Sequence, residues 1–294
     1  MVHVERHAGD GHGSAAEWTD RAYFVPTVAD VPSTSRPAVV RSPTVRVEIN
    51  GEHVSAEALW ATASELGHFT AMQIRGGKAR GLTLHLDRLE AANRELFGAG
   101  LDRDRVRQFM RHALGDADEA SLRVYVFESA NDPAVMVTVR PPAEVSTPQR
   151  LRSVEYQRPL PHVKHLATDQ GFYTRLARGD GFDDALLTGS GGGVSETATA
   201  NICFADDAGV VWPDAPQLEG ITMQLLQRVL PDLGMPCRRA PVRLEDVPRF
   251  AGAFVTNARG VAAVTRVDGT DLPFDAARLA VLREAYDSVP WDSI

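Results

Sequence analysis

The sequence is poor in cysteine, in lysine and in long apolar runs. Its two cysteines, Cys203 and Cys237, form no CxxC pair and no disulfide framework. That excludes a disulfide-stapled scaffold and a CxxC redox centre, and it suits a reducing cytoplasm. No apolar run reaches membrane-spanning length, and the N-terminus lacks the apolar centre of a signal peptide, so no membrane partner is expected. The net charge of −8 gives no basic face for nucleic acid. What remains is 294 residues, 44% hydrophobic and 24% charged, an ordinary globular composition with room for two domains.

Residues 1–43 read differently from the rest. "MVHVERHAGDGHGSAAEW" is polar, and Pro26, Pro32, Pro37 and Pro43 follow it. Such a segment has little to bury and is expected to form a flexible or extended arm. His3, His7 and His12 lack the acidic or cysteine partners that would complete a metal site, so no metal is expected. From Thr44 the pattern turns regular. "VRVEING" alternates and turns at Asn50-Gly51, and a second hairpin is expected around Gly76-Gly77. Leu86, Leu89, Ala92 and Leu96 recur at helical spacing with Gly98 as a stop, and a second helix starts at Asp102. "LRVYVFE" and "AVMVTVRP" read as strands. These observations give an α/β (α+β) fold with a small α+β domain at 44–141, a Pro/Ser/Thr linker at 142–150 and a larger domain at 151–294. The larger domain should hold a strand over 151–160, a helix over about 166–179, strands at "DALLTG", "VSETATANICFAD" and "VVWPD", an amphipathic helix in "GITMQLLQRVLPDLG" and a strand pair in "AGAFVTNARGVAAVTRVDG".

Most of the 31 basic residues are arginines, which makes Lys164 conspicuous among Leu160, Pro161, Val163 and Leu166. A snorkelling surface lysine is the ordinary explanation. The alternative is a desolvated amine kept for attack on a carbonyl. Three further stretches sharpen the choice. Glu196 follows the glycine turn "GSGGG" and could be aimed into a pocket, or could sit on a strand edge. Gly220, Ile221 and Thr222 open a helix whose free N–H groups suit a phosphate, or form a plain helix start. His85 and Arg88 share one helical face, where an arginine fork suits a phosphate, or a solvated charge. Together the four stretches ask for a ligand with a carbonyl, a basic ring nitrogen and a phosphate. Pyridoxal phosphate has all three. "GSGGG" lacks the Lys-Ser/Thr of a P-loop, no GxGxxG opens a helix, and Ser195 has no nucleophile elbow around it.

The sequence resembles the class IV aminotransferases, the fold-type IV pyridoxal-phosphate enzymes. The resemblance rests on "FTAMQIRGGKARGLTLHLDRLEAANREL", "VKHL", "GFDDALLTGSGGGVSETATANICF", "LEGITMQLL" and "AFVTNARGVAAVTRVDG", in the family order over residues 44–272. It implies a second domain built on a barrel-like sheet. It also implies Lys164 as Schiff-base lysine and proton shuttle, Glu196 at the pyridine nitrogen, and Arg88 at the phosphate. Ile221 and Thr222 would add backbone and side-chain phosphate contacts, with Thr256 and Asn257 completing the cup. The family's usual state is a homodimer. Three positions depart from the family pattern. Asp169 stands where many aminotransferases have a tyrosine, Ala263-Val264 where Pro-Val is usual, and Met223 where an arginine often follows "GIT".

The expected reaction moves an amino group from an amino acid or related amine to a 2-oxo acid. Arg259 and Arg158 are the candidate partners of the substrate carboxylate. The alternatives are an aminodeoxychorismate-type lyase releasing pyruvate, which shares the missing tyrosine, and a non-catalytic homologue.

Overall fold

The computed structural model describes residues 46–53, 67–128, 133–145 and 148–294. The proline-rich arm and its three histidines lie outside the described residues.

Among the described residues, sixteen strands and five α-helices follow in order, in two sheets. β1 (Arg46–Ile49) and β2 (Glu52–His53) meet at Asn50-Gly51, both at positive φ of 51° and 81°, the twist a two-residue hairpin demands. β3 (Gly67–Arg75) turns at Gly76-Gly77 into β4 (Lys78–Arg80). Helices α1 (Leu82–Phe97) and α2 (Arg103–Leu114) follow, then β5 (Glu119–Phe127) and β6 (Ala134–Arg140). Gly98 ends α1, and the Asp102 carboxylate accepts the Asp104 and Arg105 N–H groups to cap α2, as the sequence led us to expect. Met72, Ile74, Leu122, Val124 and Val137 of the sheet bury against Leu86, Leu89, Val106 and Met110 of the helices.

The second sheet takes β7 (Gln149–Glu155), β8 (Asp184–Thr188), β9 (Val194–Thr197), β10 (Asn201–Asp206), β11 (Gly209–Pro213), β12 (Cys237–Ala240), β13 (Gly252–Asn257), β14 (Gly260–Val267) and β15 (Thr270–Asp271). Its order is β12-β11-β10-β13-β14-β7-β8-β9, and β9 at one end comes back against β10 and β11, so the sheet curls on itself. Helices α3 (Gln170–Gly179), α4 (Ile221–Val229) and α5 (Ala276–Ser288) accompany it. Phe204, Ile202, Val255 and Val264 fill one layer of its core, and Trp212, Phe254, Met223 and Leu282 another. The mixed α+β expectation holds.

Two boundaries differ from those read in the sequence, and one strand was not read there. β7 stops at Glu155 instead of running to Leu160, because Pro159 and Pro161 cannot continue a ladder. The helix expected from about residue 166 begins at Gln170, so the lysine segment stays extended. That segment adds to the free edge of β3. The Phe69 N–H donates to the Lys164 carbonyl at 2.9 Å and the Leu166 N–H to the Gly67 carbonyl at 2.8 Å. Last, β16 (Trp291–Ser293) returns the C-terminus to the first sheet beside β4. No helix among the described residues is long and apolar enough to cross a membrane, and no group of three or more His, Cys, Asp or Glu side chains among them could hold a metal ion.

Candidate active site

Lys164 lies where the two sheets join. Its Nζ sits 4.8 Å from the centre of the Phe69 ring. Part of the side chain remains accessible, yet its surroundings strip the amine of water. Burial and the neighbouring cations Arg88, Arg158 and Arg123 lower its pKa from 10.5 to about 7, against the opposing pull of Glu196. The lowered pKa brings the free amine, the form that acts as nucleophile or base, within reach near neutrality. Lys78, the chain's one other lysine, is exposed on β4.

Glu196 is buried on β9. Burial raises its carboxyl above the usual carboxylate range, and Arg158, Lys164 and the Leu218 N–H all oppose that rise. The Arg158 Nε donates to Oε1 at 3.2 Å and the Leu218 N–H to Oε2 at 3.3 Å. Arg158 is 2% exposed, and its other nitrogens donate to the carbonyls of Val163, at 2.9 Å, and Pro161. Its guanidinium is thus engaged with the glutamate and the lysine segment on every side. That arrangement differs from a guanidinium held open for a substrate carboxylate.

Arg88 projects from α1, three residues after His85. Its Nη2 donates to the Thr70 hydroxyl, which lies 2.6 Å from His85 Nδ1. The hydroxyl thus accepts from Arg88 and links it to the His85 ring, whose tautomer sets the direction of the second bond. Burial and the nearby cations of Arg88 and Lys164 keep His85 neutral by holding its pKa well below 6.5. Burial and Arg158 bring even Arg88 down to about 10. The Arg88 Nε is buried without an acceptor. Buried donors are rarely left so, and this one points to an anion as its partner. We expect Thr70→Val, which removes the relay at nearly constant volume, to weaken phosphate-ester binding about three- to tenfold with little change in fold, by equilibrium dialysis.

The first N–H groups of α4 have no carbonyl four residues back, and no side chain caps them. Gly220 is required before them, because a Cβ there would fall 1.9 Å from Asn201 Oδ1. Thr222 Oγ1 donates to the Asn257 carbonyl at 2.8 Å, which ties the helix start to the end of β13. The Asn257 carboxamide is used locally: it donates to the Thr199 carbonyl at 3.3 Å and accepts the Arg259 N–H at 2.9 Å. Thr256 Oγ1 is likewise buried without a hydrogen-bond partner. Arg259 lies on the exposed loop after β13, lining a polar pocket of about 290 Å³ with Arg178, Asp184 and Thr199. Burial lowers its pKa while Asp184 opposes, and Arg123 stands within electrostatic range.

The sequence reading missed Arg123. It lies half-buried on β5, 6.0 Å from the centre of the Phe69 ring, and reaches the Tyr125 hydroxyl at 3.3 Å. The signal was present in the alternation of "LRVYVFE". Leu122, Val124 and Val126 face the core, so Arg123 and Tyr125 face the other way. Asp169, at the position of the missing tyrosine, is exposed, and its N–H donates to the Tyr156 hydroxyl at 3.3 Å. Met223 is fully buried in the second core.

The chain as a whole has known relatives. A probable branched-chain-amino-acid aminotransferase from Rickettsia felis is 36% identical over 97 residues, 33% of each chain. The match thus spans about a third of that relative's length. A hypothetical aminotransferase from Mycobacterium tuberculosis, solved in apo and PLP-bound forms, superposes in its apo form with a TM-score of 0.71 at 22% identity, over 84% of this chain and 98% of that one. A putative 4-amino-4-deoxychorismate lyase from Legionella pneumophila gives 0.69 at 18% identity, over 76% of this chain and 91% of that one. At such identities the likeness is one of fold. The family profile of amino-transferase class IV matches residues 67–267, which include Lys164, Arg88, Glu196, the α4 start and the Thr256 loop, and this chain belongs to that family.

Proposed function

We propose that this protein is a pyridoxal-phosphate-dependent aminotransferase that moves an amino group between an amino acid, or a related amine, and a 2-oxo acid. The observation that carries the reading is Lys164, an amine held at about 7 inside a cluster with one buried carboxylate and three arginines. The site fits the cofactor. Two buried polar atoms without partners, Arg88 Nε and Thr256 Oγ1, and the open start of α4 suit its phosphate. Glu196 suits a protonated ring nitrogen, and Lys164 suits the aldehyde. Bound there, pyridoxal phosphate supplies a ring that withdraws electrons from the substrate carbon.

The chain's own residues do the rest. Lys164 Nζ would hold the aldehyde and, when free, would carry the proton taken from the substrate carbon to the cofactor carbon that bore the aldehyde. Glu196 holds the ring-nitrogen proton, and Arg158 holds Glu196. Arg88 and the Ile221 and Thr222 N–H groups clamp the phosphate, with the Thr256 hydroxyl. Thr222 and Asn257 shape that cup through their mutual hydrogen bond. Arg259 and Arg123 are the cations we assign to the substrate carboxylates, in place of Arg158. Leu160, Leu166, Phe172 and Leu176 expose apolar surface on and after the lysine segment. This supports a homodimer as the working form.

A second reading is favoured by Asp169. With no tyrosine at that position, a lyase releasing pyruvate from a chorismate-derived amine uses the same lysine, glutamate and phosphate cup. One experiment separates them. The cofactor-loaded protein is titrated with single amino acids, and separately with a chorismate-derived amine, while its visible absorption band is followed. Bleaching by an amino acid, with equimolar 2-oxo acid formed, supports the aminotransferase. Pyruvate release with no acceptor present, and no bleaching, supports the lyase. A protein that takes up no cofactor sinks both.

A further inference from the structure

The chain ends in a segment that neither the family motifs nor the proposed chemistry uses. It touches both halves of the phosphate cup. α5 packs on α4, and at its end Val289 and Tyr286 join Ile221 and Leu225 of α4 and Leu84 of α1 in one small apolar cluster. This cluster joins the helix that carries Arg88 to the helix whose first N–H groups face the phosphate.

The chain then crosses to the first sheet. Trp291, Asp292 and Ser293 pair with Arg80, Ala79 and Lys78 of β4, and Ile294 buries in the core beneath that sheet. The Arg80 guanidinium lies between two rings, 4.2 Å from the centre of Trp291 and 4.7 Å from that of Tyr286. It also donates to the carbonyls of Val289 at 3.3 Å and Asp287 at 3.1 Å. Asp292 completes the connection. Gly81 gives α1 no side-chain cap, and the first turn carries no acidic residue. The Asp292 carboxylate supplies the cap from the far end of the chain, accepting the Leu82 N–H at 2.9 Å. It also places a negative charge at the positive end of the helix.

Resting on the cofactor reading above, we infer that residues 286–294 are a strap that positions α1 against α4, and so sets Arg88 against the Ile221 and Thr222 N–H groups for one phosphate. Asp292 and Trp291 are its positioning residues. Neither touches the phosphate. Their effect is to remove the freedom of the two helices to separate, a cost that binding would otherwise bear.

The test compares wild type with a chain ending at Val289, with Asp292→Ala and with Asp292→Asn. Dissociation constants for pyridoxal phosphate and for pyridoxal, which lacks the phosphate, are measured by equilibrium dialysis, alongside melting of the cofactor-free proteins. The truncation is expected to weaken pyridoxal phosphate by about tenfold or more and pyridoxal less than about twofold; Asp292→Ala should weaken the phosphate ester about threefold. Asp292→Asn should stay near wild type, since asparagine caps a helix as well as aspartate. Equal weakening of both ligands, or of neither, overturns the strap. If the truncated chain does not fold, the Asp292 pair decides: Ala and Asn alike, or Ala no weaker than wild type, overturns it. A wild type that binds pyridoxal phosphate no better than pyridoxal overturns the phosphate cup itself, and the strap falls with it.

Discussion

Replacing Lys164 by alanine lowers turnover by about 10⁴-fold or more, because it removes the covalent anchor and the proton carrier together. The visible band of the cofactor-loaded protein disappears with it. Lys78, exposed on β4, is too differently placed to substitute. A variant that keeps both the band and the turnover would return Lys164 to the role of a surface lysine. The lysine also leaves a mark on the cofactor-free protein. Its folded pKa of about 7 lies below its ordinary 10.5, so the folded state binds fewer protons than the unfolded one between those values. Stability therefore falls as the pH drops from 10.5 towards 7, and the full penalty is present below that window. Cofactor-free Lys164→Met should accordingly resist denaturant better than wild type at about pH 6, with the difference closing as the pH rises through the window.

Arg158→Leu is expected to cost about 3–5 kcal/mol in denaturant unfolding, since it leaves the Glu196 carboxylate buried without its cation. Two carbonyls of the lysine segment lose their donor as well. Glu196 then moves further up from its ordinary value. A raised carboxyl pKa contributes stability at low pH that is lost as the pH rises through it. The deficit should therefore be smaller at about pH 5 than at about pH 8. Arg158→Lys should not rescue, because an ammonium cannot span three acceptors as a guanidinium does. Arg158→Leu combined with Glu196→Leu should recover most of the stability, as apolar replacements of whole buried pairs often do, while remaining inactive. If Arg158→Leu unfolds like wild type and changes only the affinity for substrate, the arginine is a substrate ligand after all.

The two arginines proposed in the sequence for one task part company in the fold. Arg158 and Glu196 are 38 residues apart. They meet because β8 pairs with β7 on one side and β9 on the other, which brings the end of β7 beside the glutamate. No periodicity within either stretch carries that information. Arg123 was overlooked for a related reason. Its strand reads as an ordinary alternation, and only the addition of the lysine segment to the edge of β3 brings Lys164 over Phe69, the ring that Arg123 flanks.

By itself the sequence determined whatever a few neighbouring residues decide. Asn50-Gly51 dictates its hairpin, Asp102 and Gly98 their helix ends, and the 3.6-residue spacing places His85 and Arg88 on one face. The ordered motifs were enough to name the family and to single out Lys164, Glu196 and Arg88. Tertiary structure alone decided what depends on sums over distance and on pairings between remote segments. The depressed pKa of Lys164 is a sum of burial and four charges from four separate stretches of chain. The cap of α1 comes from Asp292, 210 residues away, and no local rule of helix termination could have pointed to it.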